Sequence, residues 1–189
     1  KNNSTVRFLF PSTIAVYGLP SLADKNEVGK IHEDEHVMPM TMYGVNKMYC
    51  EHAGRYFSEQ YRRLSPEKEY GYVDFRAIRF PGLISAFTVP TGGTSDYGPE
   101  MIHNAAQGKP YSCFVREESQ IPFMAMPDGV RALLELATCP LNNLSRRVYN
   151  IGAFAPTAKE FKDAVLNEFP NAIITFNPDL KRQSIVDSW

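Results

Sequence analysis

Long hydrophobic runs, clustered cysteines and an excess of either charge are all missing from this 189-residue sequence. Pro, Gly or a charged residue interrupts every apolar stretch well short of the ~20 residues a membrane-spanning helix needs. Cys50, Cys113 and Cys139 are far apart, odd in number and form no Cys-x-x-Cys. That argues against a disulfide framework or a thiolate zinc site, and it points to a reducing compartment. The 20 basic and 21 acidic residues leave a net charge of −1, with neither sign gathered in a block. A phosphate-tracking nucleic-acid binder needs a basic surplus on one face, so no nucleic-acid partner is expected. There is no signal-peptide pattern, and the Asn-x-Ser/Thr triplets at Asn2, Asn3 and Asn143 carry no weight without one. No internal repeat or low-complexity tract occurs. What remains is 43% hydrophobic and 22% charged, a composition typical of globular chains, at a length for one medium domain or two small ones.

Alternation of strand-like and helix-like segments runs the whole length. Val6 to Phe10 reads as a buried strand after only five residues, and Ile14 to Gly18 as a short apolar continuation stopped by glycine. Residues 19–40 are polar and irregular and read as a surface excursion. Thr41 can cap a long helix to about Arg63, on which Val45, Tyr49, His52 and Tyr56 recur at spacings of three and four and are expected to form the buried face. Gly71 to Arg79 is strand-like. After the loop at residues 90–96, a short helix runs to Gly108, then candidate strands at Tyr111–Val115 and Phe123–Met126. Pro127 suits the first turn of a helix through Thr138, Arg147–Ile151 is a further strand, Thr157 to Glu160 is a capping box opening a helix to about Glu168, and Ala172–Phe176 a last strand. Strands alternating with helices in this way indicate an α/β protein with a mainly parallel sheet. The chain opens on Lys1 and closes on Trp189 without polar tails, so both ends read as cuts through a larger fold.

Two motifs carry candidate chemistry. His32-Glu33-Asp34-Glu35-His36 satisfies the zinc-protease pattern H-E-x-x-H, in which two histidines one helical turn apart bind the metal. Both variable positions are acids here, leaving the supposed helix no apolar face, and Gly29 and Pro39 bracket it. It reads as a charged loop, with no metal site. Tyr43 and Lys47, four apart, share one face of the helix after Thr41. An ammonium beside a phenol favours the phenolate, a base that can take a proton from an alcohol while hydride leaves its carbon. The pair alone is short enough to occur by chance. Upstream, directly after the first strand, Ser12 and Thr13 put hydroxyls where a parallel sheet exposes its carboxyl ends and ligands bind. Such a hydroxyl can orient a substrate oxygen and share its proton.

The run Phe10 to Gly18, the Tyr43/Lys47 pair, Arg79-Phe80-Pro81-Gly82 and Tyr149-Asn150-Ile151-Gly152 together resemble the extended short-chain dehydrogenase/reductases. Pro81 to Ser85, Gly92-Gly93-Thr94-Ser95-Asp96-Tyr97 and Asp187-Ser188-Trp189 are similar to the L-threonine 3-dehydrogenase branch of that family. The resemblance covers nearly the whole sequence. It implies a Rossmann-like, doubly wound parallel sheet with a smaller α/β substrate-binding region. Residues 1–80 would be the second half of the NAD-binding domain, and 81–189 mainly the substrate-binding region, with 147–152 returning to the Rossmann sheet.

By the same resemblance, Tyr43 is the catalytic base, and Lys47 its partner and a holder of the nicotinamide ribose. Thr13, with Ser12 beside it, supplies the active-site hydroxyl. Pro81, Gly82 and Leu83 line the nicotinamide of NAD. Thr94, Ser95 and Asp96 bind the polar end of the amino acid, and Trp189 closes the pocket. The implied substrate is the small molecule L-threonine, the implied assembly a homodimer through the helix after Thr41, and the compartment the cytoplasm, or the mitochondrion in a eukaryote. The family's glycine-rich turn and its ribose-binding acid are absent, and residues 19–40 are longer than the branch usually has. Two other readings stay open: a nucleotide-sugar epimerase or dehydratase with the same Tyr/Lys base, and a non-catalytic scaffold that retains the fold.

Overall fold

The computed structural model describes residues 4–61, 63–64 and 73–189. Its elements, in chain order, are β1 (Val6–Thr13), α1 (Leu22–Val28), α2 (Met42–Arg55), β2 (Val73–Phe80), β3 (Gly82–Ile84), α3 (Tyr97–Ala106), β4 (Tyr111–Cys113), β5 (Phe123–Ala125), α4 (Met126–Thr138), β6 (Val148–Asn150), α5 (Ala158–Glu168), β7 (Ile174–Phe176) and α6 (Leu180–Asp187). Every strand pairing among the described residues is parallel, as the alternation of strands and helices requires. The fold is α/β, and it divides into two units. One comprises residues 1–18, 31–80 and 129–151, and the other residues 19–30, 81–128 and 152–189.

The first unit is built on the sheet β1-β2-β6, with β2 in the centre. Val6 pairs with Val73 and Thr13 with Phe80, while Ala77 to Arg79 pair with Val148 to Asn150. Because strand side chains alternate, each face of this sheet has its own chemistry. Phe8, Phe10, Ser12, Phe75, Ala77 and Arg79 lie on the face that takes α2, where Phe8 and Phe10 pack on Phe75 with ring centroids 6.2 Å apart. Arg7, Asp74 and Arg76 lie on the opposite face. There Arg76 is fully buried and donates to the backbone carbonyls of Leu136 and Cys139 at the end of α4, while binding Asp74 at 2.7 Å. Burial opposes the Asp74 charge, but hydrogen bonds from Arg76 and Arg7 outweigh it and hold that carboxyl below the usual range.

Several sequence expectations change here. The long helix ends at Arg55 and continues only as a π-turn, Tyr56–Gln60. Its expected buried face points outward: Val45 is 43%, Tyr49 71% and Tyr56 51% exposed, and His52 is exposed too. The side that packs on the sheet runs through Gly44, Lys47, Met48, Glu51 and Gly54. Small residues let the backbone approach and a charged residue finds a buried partner, so an apolar count picks the wrong stripe. Residues 14–16 form a 3-10 turn rather than a continued strand, with Thr13 as its cap. Residues 19–40 contain α1, capped by Ser21, and 19–30 fall in the second unit. His32 to His36 form a turn in which His36 has φ of 50°, so the two histidines share no helix face. The expected strand start at Gly71 and the triplets at Asn2 and Asn3 lie outside the described residues.

The second unit holds two short parallel pairs, β3 with β5 and β4 with β7. Its core is aromatic: Phe123 lies 5.4 Å from both Tyr97 and Phe161, and Tyr97 is also edge-on to Phe114. Thr157 and Glu160 form the expected capping box at α5. The helix α6, which the sequence reading did not foresee, starts at Asp179, whose carboxylate accepts from the Lys181 and Arg182 amides. Lys25 of α1 reaches across to it, donating to the carbonyls of Gln120 at 2.7 Å and Val186 at 2.8 Å.

Burial, with a smaller contribution from Arg116, lowers the Lys25 pKa to about 8 against the opposing charge of Asp187. The unfolded chain keeps its proton up to 10.5. Between those values the folded protein has released a proton that the unfolded chain still holds, so stability rises with pH across the window and the gain is lost as pH falls through about 8. Chemical denaturation at several pH values should show this rise in the wild type and its loss in Lys25→Met. Parallel pH dependence of the two proteins would contradict it.

Candidate active site

Thr41 begins the site by capping α2, its hydroxyl accepting from the Gly44 amide at 3.1 Å. Gly44 then meets the turn after β1: a Cβ at this position would stand 1.9 Å from the Ala15 carbonyl oxygen. Only glycine lets the first turn of α2 sit this close. One turn on, Lys47 Nζ donates to the Pro11 carbonyl at 2.6 Å. The same ammonium lies 5.7 Å from the centre of the Tyr43 ring and 4.9 Å from that of Phe10. Tyr43 is 54% exposed. Gly44 therefore docks two residues beyond Thr13 and Lys47 two residues before it, which sets Thr13 on the stretch of β1 that the start of α2 spans.

The two neighbouring hydroxyls part company. Ser12 is buried and donates to Glu51 Oε1, so its hydroxyl is tied into the sheet–helix contact and does not join Tyr43. This corrects its expected place at the active site. Thr13 is half-buried and accepts from the Ala15 amide at 3.2 Å, an arrangement that keeps its O–H as a donor.

Beneath this surface lies a buried polar cluster that the sequence reading missed. Arg79 Nη2 meets Glu51 Oε2 at 2.7 Å and Arg79 Nε meets Glu51 Oε1 at 3.0 Å, a two-point ion pair with both side chains almost fully buried. Arg79 Nη1 donates to the Tyr17 hydroxyl at 2.7 Å and the Glu33 carbonyl at 2.6 Å, and Tyr17 donates to Asn150 Oδ1 at 2.7 Å. Glu33 also accepts from the Asn150 amide at 3.0 Å and pairs with Arg146. The glutamate of the zinc-like pattern is thus a brace between its loop and β6. Burial opposes the charge on Arg79, yet the bonds and charge of Glu51 prevail and raise its pKa. Burial raises that of Tyr17 against the pull of Arg79. Charged residues inside a buried strand, Asp74, Arg76 and Arg79 within Val73 to Phe80, were the available signal.

In the second unit, Pro81 and Gly82 are buried and Leu83 half-buried, with the Gly82 amide donating to the Pro122 carbonyl at 3.0 Å. The loop before α3 turns at Gly92, whose φ of +89° suits glycine. Asp96 folds back to accept from the amides of Thr91 at 3.1 Å and Gly93 at 2.8 Å. Both amides meet Oδ2, so one carboxylate oxygen braces the loop, and Oδ1 stays available beside the hydroxyls of Thr94 and Ser95. Neither the Thr94 nor the Ser95 hydroxyl has a hydrogen-bond partner among the described residues, and both residues are half-buried. Trp189 is half-buried, and its indole Nε1 is buried without a partner among the described residues. Among the described residues no group of three or more His, Cys, Asp or Glu could hold a metal, and no helix is long and apolar enough to cross a membrane.

Comparison with known proteins bears on the whole length. The model of the NAD dependent epimerase/dehydratase family matches residues 1–152. A mitochondrial L-threonine 3-dehydrogenase of Bos taurus is 37% identical over 184 residues, which is 97% of this chain and 45% of that protein. An uncharacterized epimerase/dehydratase of Staphylococcus saprophyticus is 31% identical over 97% of this chain and 53% of its own length. The chain therefore spans about half the length of the curated relatives it matches. Among solved structures, the apo form of a GalE-like L-threonine dehydrogenase from Cupriavidus necator superposes with a TM-score of 0.81 at 35% identity, over 97% of this chain and 61% of that one.

Replacing Glu51 by Gln removes one partner of a buried ion pair and leaves the Arg79 charge uncompensated. Urea unfolding should show a loss of roughly 3 kcal/mol. An unchanged midpoint would show that the pair does not hold α2 in place.

Proposed function

The chain belongs to the NAD dependent epimerase/dehydratase family, and from that premise we propose that it oxidises L-threonine at the side-chain hydroxyl, with NAD as hydride acceptor, to 2-amino-3-oxobutanoate. The observation that carries the proposal is the position of Lys47, whose ammonium is held by the Pro11 carbonyl and lies 5.7 Å from the Tyr43 ring centre. The similarity to L-threonine dehydrogenases of cattle and Cupriavidus necator, at 35–37% identity, supports threonine over a nucleotide sugar.

The residues present suit the cofactor, since a half-exposed phenol and an anchored ammonium offer polar groups to a ribose at the surface of the first unit. When bound, NAD supplies the acceptor for hydride from the substrate carbon. Thr13 orients the substrate oxygen through its hydroxyl hydrogen, and Tyr43 takes the alcohol proton as the carbonyl forms. Lys47 brings the compensating positive charge and holds the ribose. In the second unit Thr94, Ser95 and the free Oδ1 of Asp96 are the proposed contacts for the polar end of the amino acid, Pro81, Gly82 and Leu83 for the nicotinamide, and Trp189 for the pocket wall. The residues 1–80 and 147–152 are assigned to the NAD-binding domain on the same reading. Three free cysteines fit the cytoplasm, or the mitochondrion in a eukaryote.

In the full-length protein, L-threonine and NAD should yield NADH, and Tyr43→Phe should lower kcat by about a hundredfold or more with an unchanged circular dichroism spectrum. Conversion of UDP-sugars without threonine oxidation would select the epimerase or dehydratase reading. Absence of NAD binding by calorimetry would select the scaffold.

We further propose a homodimer through the outward face of α2. Tyr49, Val45 and Tyr56 expose an apolar stripe of helical spacing that a second copy of the same helix can cover. Tyr49→Glu should shift the protein from dimer to monomer in analytical ultracentrifugation. A wild type that sediments as a monomer at tens of micromolar would refute the interface.

A further inference from the structure

The helix α6 carries a cation that acts directly on the backbone of the loop before α3. Arg182 Nη2 donates to the carbonyls of Gly93 at 2.8 Å and Gly92 at 3.2 Å, while its guanidinium stacks on the Phe114 ring. From the other side Asp96 accepts from the amides of Thr91 and Gly93. The peptide groups of residues 91–93 are thus gripped at both poles, carbonyls by a cation and amides by an anion. Gly92 and Gly93 have no side chains with which to hold the turn themselves. Without these two charges the segment would sample many backbone conformations.

A grip is only as firm as its base, and α6 is firmly seated. Gln183 is buried, its Oε1 accepting from the Arg116 amide at 2.7 Å and its Nε2 donating to Asp187 at 2.8 Å. Arg116 Nη2 binds the same Asp187 carboxylate at 2.9 Å, and Lys25 holds the Val186 carbonyl. Arg182 therefore projects from a helix held by Arg116 and by Lys25.

We propose that Arg182 is the positioning residue of the 91–96 loop, fixing the Thr94 and Ser95 hydroxyls in the arrangement that receives the amino-acid substrate. This rests on the reading of that loop as the substrate contact. It makes substrate affinity depend on a side chain that touches neither substrate nor cofactor, and it predicts a defect in threonine binding alone. Lysine at the same place can reach one carbonyl but cannot stack as a plane, so it should restore part of the effect.

The test uses the full-length protein with Arg182→Gln, Arg182→Lys and, as a control at the neighbouring exposed position of the same helix, Lys181→Gln. Two readouts are taken: hydrogen exchange of the amides at residues 91–96, and the KM values for L-threonine and NAD. For Arg182→Gln the expected result is exchange about tenfold faster in that segment and a KM for threonine raised about tenfold, with the KM for NAD within twofold of wild type. Arg182→Lys should fall between, and Lys181→Gln should match wild type in both. Unchanged exchange would overturn the grip. Faster exchange with an unaltered threonine KM, or equal rises for threonine and NAD, would overturn the positioning role. If the wild type itself does not oxidise threonine, the functional reading falls, and the exchange measurement still decides whether Arg182 holds the loop.

Discussion

The ion pair between Glu51 and Arg79 is the constraint on which the first unit depends. It joins the middle of α2 to the carboxyl end of the central strand at two points, with almost no solvent to screen it. Such a pair is costly to bury and pays back only when its remaining valences are met. Ser12, Tyr17 and the Glu33 carbonyl meet them. Because each of these partners comes from a different segment, the cluster fixes the rotation and height of α2 over β1 as well as its attachment. The rotation matters most, since it decides that Tyr43 faces solvent while Lys47 reaches Pro11.

The second unit solves a similar problem by different means. A loop containing two successive glycines has no side chains to anchor it, so charged groups from either side act on its backbone directly. Asp96 serves the amides and Arg182 the carbonyls. A carboxylate that the sequence offered as a substrate contact is engaged in holding the loop that carries the contact. Ser12 in the first unit follows the same pattern, as a hydroxyl beside the site that supports the framework. In both places a polar residue beside the candidate site supports the framework that carries it.

Much of the fold was legible because local signals agreed with one another. The capping box at Thr157, the Thr41 cap and the apolar strand at Val6 each found the element they announce, but that strand, expected to be buried, is an edge strand with Val6 57% and Phe8 52% exposed. The helix α6 escaped because its Asp179 cap opens a segment of low apolar content, and α1 because it is short and polar. The inward stripe of α2 was misread for a reason that applies beyond this chain. Aromatic spacing reports which side of a helix is apolar, whereas close packing on a sheet is governed by glycines and by whether a charge has a buried partner.

The sequence by itself determined the alternation of strands and helices, the parallel pairing it requires, and the presence of a tyrosine and a lysine one helical turn apart, since those are properties of local spacing. Tertiary structure alone decided which of two adjacent hydroxyls is sealed against Glu51, which face of α2 meets the sheet, and which charged side chains hold the glycine loop. Each of those outcomes turns on a partner far away along the chain, and hydrogen-bond satisfaction in a buried setting can be judged only when both members are in place.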